Sequence, residues 1–202
     1  MNKERYEKQL QALDEFPIWT IEQIKEYLHM DFDTVQKMVE AKWLYKFSVS
    51  RCTFYSVSNK KFTNQAIIKS ILSIDAMYQL NYSKFDGWLV RDDSLYDKSL
   101  ISRGVKRIGY LDDDNRFNLY QVIVPQILTE KDFPKMAKLL IDIHNNNESD
   151  YIQVVFVVRN TDTSALEAYL EEQDQLIPYF MAGYIKFQAF SFYRSHFDYL
   201  KL

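Results

Sequence analysis

TIEQIKEYLHMDFDTVQKMVEAKWLYKF, Thr20 to Phe47, decides how the first third of the chain folds. Thr20 is a good helix N-cap, and Gln23 stands three residues on, the reciprocal arrangement of a capping box. Ile21, Ile24 and Leu28 give that helix an apolar face. Met30 to Phe32 read as a short turn. Asp33 is the next candidate cap, again with a glutamine three residues later, Gln36. Val35, Met38, Val39 and Trp43 are expected to face inward at helical spacing. Two helices joined by a tight turn form a helix-turn-helix.

The flanks extend this reading. Residues 2–15 predict a preceding helix, with Tyr6, Leu10 and Leu13 on one stripe. After Phe47, the runs YKFSVS (45–50) and TFYSV (53–57) alternate and are rich in aromatic and β-branched residues. Arg51 and Cys52 are expected as the two-residue turn between them, although the usual Gly or Asn is missing. Three helices followed by a hairpin predict a winged helix over residues 1–62. A further helix over 63–80 carries Ile67, Ile71, Ile74 and Tyr78 on one stripe, widened by Ile68 and Leu72. Two readings stay open for it, core packing or dimerisation.

Residues 81–202 read as a mixed α/β domain of order β-β-α-β-α-β, so the fold class is α+β. Asp86 and Gly87 suggest a turn ahead of Trp88–Val90. Strands are expected at 105–111, 117–124, 151–158 and 184–192. Helices are expected from Thr129 to Asn145 and from Thr163 to Glu172. The run Asp112, Asp113, Asp114, Asn115 is expected to be a solvated turn. His144, near a helix C-terminus, suits the helix dipole.

Composition bounds the rest. The chain has 202 residues, 47% hydrophobic and 26% charged, with a net charge of −3. One cysteine, Cys52, excludes an intrachain disulfide and a cysteine-based zinc site. The N-terminal MNKERYEKQLQ lacks the apolar core of a signal peptide, and no apolar run is long enough to span a bilayer. A cytoplasmic protein without membrane association is expected.

Catalytic signatures are wanting. No glycine-rich phosphate loop is present, and the histidines His29, His144 and His196 are far apart. Cys52, expected at an exposed turn, is poorly placed for a dry active site. A restriction-endonuclease-like metal site needs Glu-x-Lys on its second strand; Gln121, Val122 and Ile123 stand there instead. The expectation is therefore no enzyme, no metal and no cofactor.

Charge points elsewhere. The first 62 residues carry ten Lys or Arg against nine Asp or Glu, and the remainder fifteen against nineteen. Residues 41–62 hold Lys42, Lys46, Arg51, Lys60 and Lys61 and no acid. Such a local excess is suited to phosphates. On the outer face of the third helix, Thr34, Gln36, Lys37 and Glu40 are the expected base readers. Gln pairs with adenine, Lys reaches guanine and Glu accepts from cytosine. The expected partner is double-stranded DNA, bound by a homodimer so that two recognition helices reach successive grooves. Glu22, Glu26 and Glu40 leave the alternative of a protein-interaction module open.

An N-terminal winged helix, a connecting helix and a nuclease-like α/β domain resemble the replication-relaxation family of plasmids and integrative elements. The resemblance rests on the 20–47 stretch with its hairpin, and on RIGYLDDDNRFNLYQVIV followed by the 129–145 helix. It implies DNA binding linked to plasmid replication, mobilisation or gene control, with a replication or mobilisation protein as a further partner. It also implies a degenerate nuclease-like second domain, because Gln121 stands where typical members keep an acid.

Overall fold

In the computed structural model of the chain, Thr20 starts its helix as the spacing predicts. Its hydroxyl accepts from the Gln23 amide at 3.1 Å, and the Gln23 side chain accepts from the Thr20 amide at 3.2 Å. The structure describes residues 3–79, 105–111, 116–124, 126–145, 152–159 and 162–189. These fall into two compact units, one reaching to residue 79 and the other running from 105 to 189. The architecture mixes helices with a small antiparallel sheet and a second, mainly parallel sheet. No helix among the described residues is long and apolar enough to cross a membrane.

The first unit begins with a 3-10 turn, Glu4–Tyr6, leading into α1, Glu7–Glu15. Leu13, Phe16 and Ile18 are completely buried. Helix α2, Ile21–Leu28, buries Ile24 and Leu28 and stops at His29, whose φ of 52° leaves the helical region. Helix α3, Phe32–Glu40, starts earlier than expected. Its cap is Asp31, which accepts from the Thr34 amide at 2.7 Å. Asp33 therefore lies inside the helix, and Gln36 belongs to no capping box. The phase is set by Val35 and Met38, both fully buried. With Asp31 as cap, they meet the core while the chain needs only a short turn after α2.

The hairpin turn also shifts by one residue. Strands β1, Tyr45–Val49, and β2, Cys52–Ser56, pair antiparallel with Val49 opposite Cys52. The turn residues are thus Ser50 and Arg51, at φ 49° and 72°. Both positive values are the signature of a type I′ turn, whose twist matches that of the strands. Cys52 is consequently buried within β2, not exposed at the tip. It shares the inward face with Phe54, so the core fixes the register. On the far side of β2, Trp19 and Tyr55 exchange two backbone hydrogen bonds of 2.9 Å.

Helix α4, Asn64–Gln79, belongs to this unit. Its apolar stripe is buried at Ile67, Ile68, Ile71, Leu72 and Ile74. Polar contacts lock it further. Gln23 Nε2 donates to the Ile71 carbonyl and to Asp75 Oδ1, each at 3.0 Å. The Tyr27 hydroxyl donates to the same Asp75 oxygen, and the Tyr27 ring stacks on Tyr78 at 4.4 Å.

The second unit is a four-stranded sheet in the order β3-β4-β5-β6. Strands β3, Val105–Leu111, and β4, Arg116–Val124, are antiparallel. Strands β5, Ile152–Val158, and β6, Ile185–Ala189, continue parallel to β4. Parallel neighbours need crossovers. A 3-10 turn, Glu130–Asp132, and α5, Phe133–Asn145, make the first. Helices α6, Ser164–Glu171, and α7, Ile177–Met181, make the second. Tyr120, Val122 and Val124 of β4 join Val154, Phe156 and Val158 of β5 in a core with Leu140, Ile143, Leu166 and Leu170. Val155 and Val157 are buried as well, so β5 is enclosed on both faces, as its unbroken apolar run requires.

Two expectations here are corrected or extended. His144 closes α5, but it is buried and stacked on Tyr179, with ring centroids 3.3 Å apart. Burial pulls its imidazole down to about 4, so at neutral pH it carries no charge for the helix dipole. Helix α7 is unmarked in the sequence, since its five residues, IPYFM, are too few to show a helical period. Asp86–Val90 and Asp112–Asn115 lie outside the described residues.

Candidate nucleic-acid interface

Five cations expected to meet phosphates are all exposed. Lys42 follows α3 with φ 58°, a left-handed residue that lets the chain turn into β1. Its amide donates to the Val39 carbonyl at 3.0 Å. Lys46 lies on the outer face of β1, beside exposed Ser48. Arg51 occupies the hairpin turn. Lys60 and Lys61 follow β2 and are fixed beside the hairpin by Phe62, whose ring lies 5.5 Å from that of Phe47. Phe47 in turn contacts Phe54 at 5.7 Å. Of the five cations, Lys46 alone lies in a strand, on the face opposite Phe47 and Phe54 and in register with buried Tyr55.

The four expected base readers do not stand alike. Lys37 and Glu40 are exposed. Thr34 is half-buried and engaged with Asp31 through both its amide and its side chain. Those bonds, the backbone one foremost, hold the Asp31 carboxyl below its usual range, with Lys37 adding to the effect. Thr34 is therefore a capping partner and not an outward reader. Gln36 turns inward: its Nε2 is closed off from solvent, and the side chain meets the Tyr55 phenol. Burial pushes that phenol up, and Gln36 partly offsets the shift.

The outward face of α3 is instead Asp33, Lys37 and Glu40, all exposed and spaced four and three apart. The sequence alone places Asp33 at the cap, which hides it from the outward face. The i, i+4, i+7 spacing itself was legible. Two further residues complete the surface. Phe32, the first residue of α3, is 46% exposed. Exposed Lys25 of α2 holds its ammonium 5.9 Å from the Phe32 ring centroid, a cation–π contact.

Elsewhere, a cavity of about 200 Å³ opens beyond the carboxyl ends of β4 and β5, lined by Leu128, Thr129, Phe133, Asp162, Thr163 and Leu166 among others. Two of its polar residues serve local structure: Thr129 donates to Asp132, and Asp162 accepts from the Ser164 amide, which lowers both carboxyls. Gln121 lies buried in β4, with Lys106 as its neighbour in β3 and Val155 in β5.

Compared with protein-family models and with curated protein sequences, the chain matches none.

Proposed function

We propose that the first unit is a winged helix that binds double-stranded DNA, and that the protein is a sequence-specific regulator of transcription or replication. The observation that carries this is the run of exposed cations Lys42, Lys46, Arg51, Lys60 and Lys61 in and beside the hairpin, with no acid among residues 41–62. The Trp19–Tyr55 bridge supports it. It gives the order helix, strand, helix, helix, strand, strand, in which a winged helix presents its second tight-turn helix to the major groove. Lys37 and Glu40 are the base readers of this reading. A homodimer would be assembled by surfaces other than the stripe of α4, which is already buried. On the resemblance to replication-relaxation proteins, the DNA belongs to a plasmid or integrative element in the cytoplasm, and the second unit is a nuclease-like domain without catalysis.

The test is selection of the purified protein on random duplex DNA at two salt concentrations. A recovered palindromic motif, bound less tightly as salt rises, is the expected result. Adding magnesium or manganese should produce no cleavage. A second reading is favoured by Asp33 and Glu40, which flank Lys37 on the outward face of α3. These acids suit a basic protein surface, such as a replication or mobilisation partner. Absence of any enriched or salt-sensitive duplex would decide for it.

A further inference from the structure

We infer that Phe32 reads the C5-methyl group of a thymine in the major groove, with Lys25 beside it on the adjoining phosphate. This rests on the DNA-binding reading above and deepens it. Among the described residues of the first unit, Phe32 is the exposed large hydrophobic side chain; Ile127, Ile177 and Met181 belong to the other unit. Its ring takes no place in the core, where Val35 and Met38 fill the inward face of α3. It sits at the first position of the helix, fixed there by the Asp31 cap. The N-terminal residues of a recognition helix are those that contact base edges.

The chemistry narrows the target. The major-groove edges of the bases carry hydrogen-bonding groups, and thymine adds the one apolar group, its methyl. A ring without donors or acceptors discriminates only there. Lys25 sharpens the match. It lies on α2, the helix that crosses the DNA backbone in this arrangement, and its ammonium is already held next to the ring. An apolar edge flanked by a cation fits a methyl next to a phosphate.

The experiment uses the full-length protein and the duplex recovered by selection. Each thymine is replaced in turn by deoxyuridine, which removes the methyl alone. The expected result is one thymine per half-site whose demethylation weakens wild-type binding about fourfold, the value of one buried methyl-sized group. Phe32→Ala, with an unchanged melting temperature, should bind the thymine and uracil forms equally. Phe32→Leu should retain part of the difference. The inference is overturned if no thymine shows a penalty, or if Phe32→Ala keeps the full penalty, while DNA binding itself persists. Failure to enrich any duplex overturns the DNA-binding reading together with this inference, and leaves the Phe32–Lys25 pair as a protein contact.

Discussion

The hydroxyl of Ser70 makes two hydrogen bonds to the backbone of a single residue, Ile18: it accepts from the Ile18 amide at 3.1 Å and donates to the Ile18 carbonyl at 2.9 Å. Both residues are buried. Ile18 precedes Trp19, which pairs with Tyr55, so this one side chain joins α4 to the strand that borders the hairpin. Ser70→Ala leaves a donor and an acceptor without their partner in the interior. The expected cost is about 2 kcal/mol, since each orphaned group costs roughly 1–3 kcal/mol. Urea unfolding of the variant checks it, and an unchanged midpoint would contradict the role given to Ser70.

His144 predicts a stability that depends on pH. Its folded-state value is pulled down to about 4 by burial, from an ordinary 6.5. Above 6.5 both folded and unfolded forms are neutral, and the residue adds no pH dependence. As pH falls below 6.5, the unfolded chain takes up a proton that the folded imidazole refuses. Stability therefore drops with falling pH, by at most about 1.4 kcal/mol per unit, and the loss levels off near pH 4. His144→Phe retains a ring against Tyr179 and removes the titration. Denaturant unfolding at pH 7.5, 6 and 5 should show a shallower decline for this variant, with stability at pH 7.5 no lower than wild type. Equal slopes for the two proteins would show that His144 does not carry the effect.

Gln36 and Lys37 are adjacent in sequence and should separate completely by phenotype. Gln36 meets the Tyr55 phenol inside the unit, so Gln36→Ala should cost about 1 kcal/mol of stability and leave the selected DNA motif as it was. Lys37 is exposed, so Lys37→Ala should stay within about 0.5 kcal/mol of wild-type stability. Its binding should weaken about fivefold or more, with relaxed preference at one position of the motif. Thermal melting and repeat selection on the two variants check both statements. A changed motif from Gln36→Ala would mean that its side chain reaches DNA after all.

Local signals carried most of what was legible. The Thr20–Gln23 capping box could be read because both of its bonds span three residues, and Thr129 likewise begins the 3-10 turn before α5. The choice between Asp31 and Asp33 could not be made locally, since either carboxylate can cap and only the burial of Val35 and Met38 selects between them. The hairpin turn was displaced by one residue because Ser50 and Arg51 are unusual at positive φ, and the inward register of Cys52 and Phe54 overrides that local preference. The Trp19–Tyr55 bridge joins residues distant in sequence, and no pattern around Trp19 marks it. By position alone His144 suits the helix dipole, because the ring that covers it, Tyr179, comes from α7, a helix too short to announce itself. In the candidate interface the cations were legible as a run without acids, whereas the orientation of Thr34 and Gln36 depended on partners, Asp31 and Tyr55, that composition does not name.

Arg51 gives a prediction in which stability and binding move in opposite directions. It holds a φ of 72° in the turn, a conformation that costs a residue with a side chain about 1–2 kcal/mol and glycine almost nothing. A type I′ turn favours glycine at this second position. Arg51→Gly should therefore stabilise the first unit by about 1 kcal/mol. The same change removes one exposed cation from the proposed phosphate surface. Binding to the selected duplex should weaken, and the slope of log affinity against log salt should fall by about one. Melting and salt-titrated binding, measured on one preparation, separate the two effects. A residue kept only for the hairpin would be improved by glycine with no change in DNA affinity. A variant that is both more stable and less salt-sensitive in binding would indicate that an arginine holds this strained position for its charge.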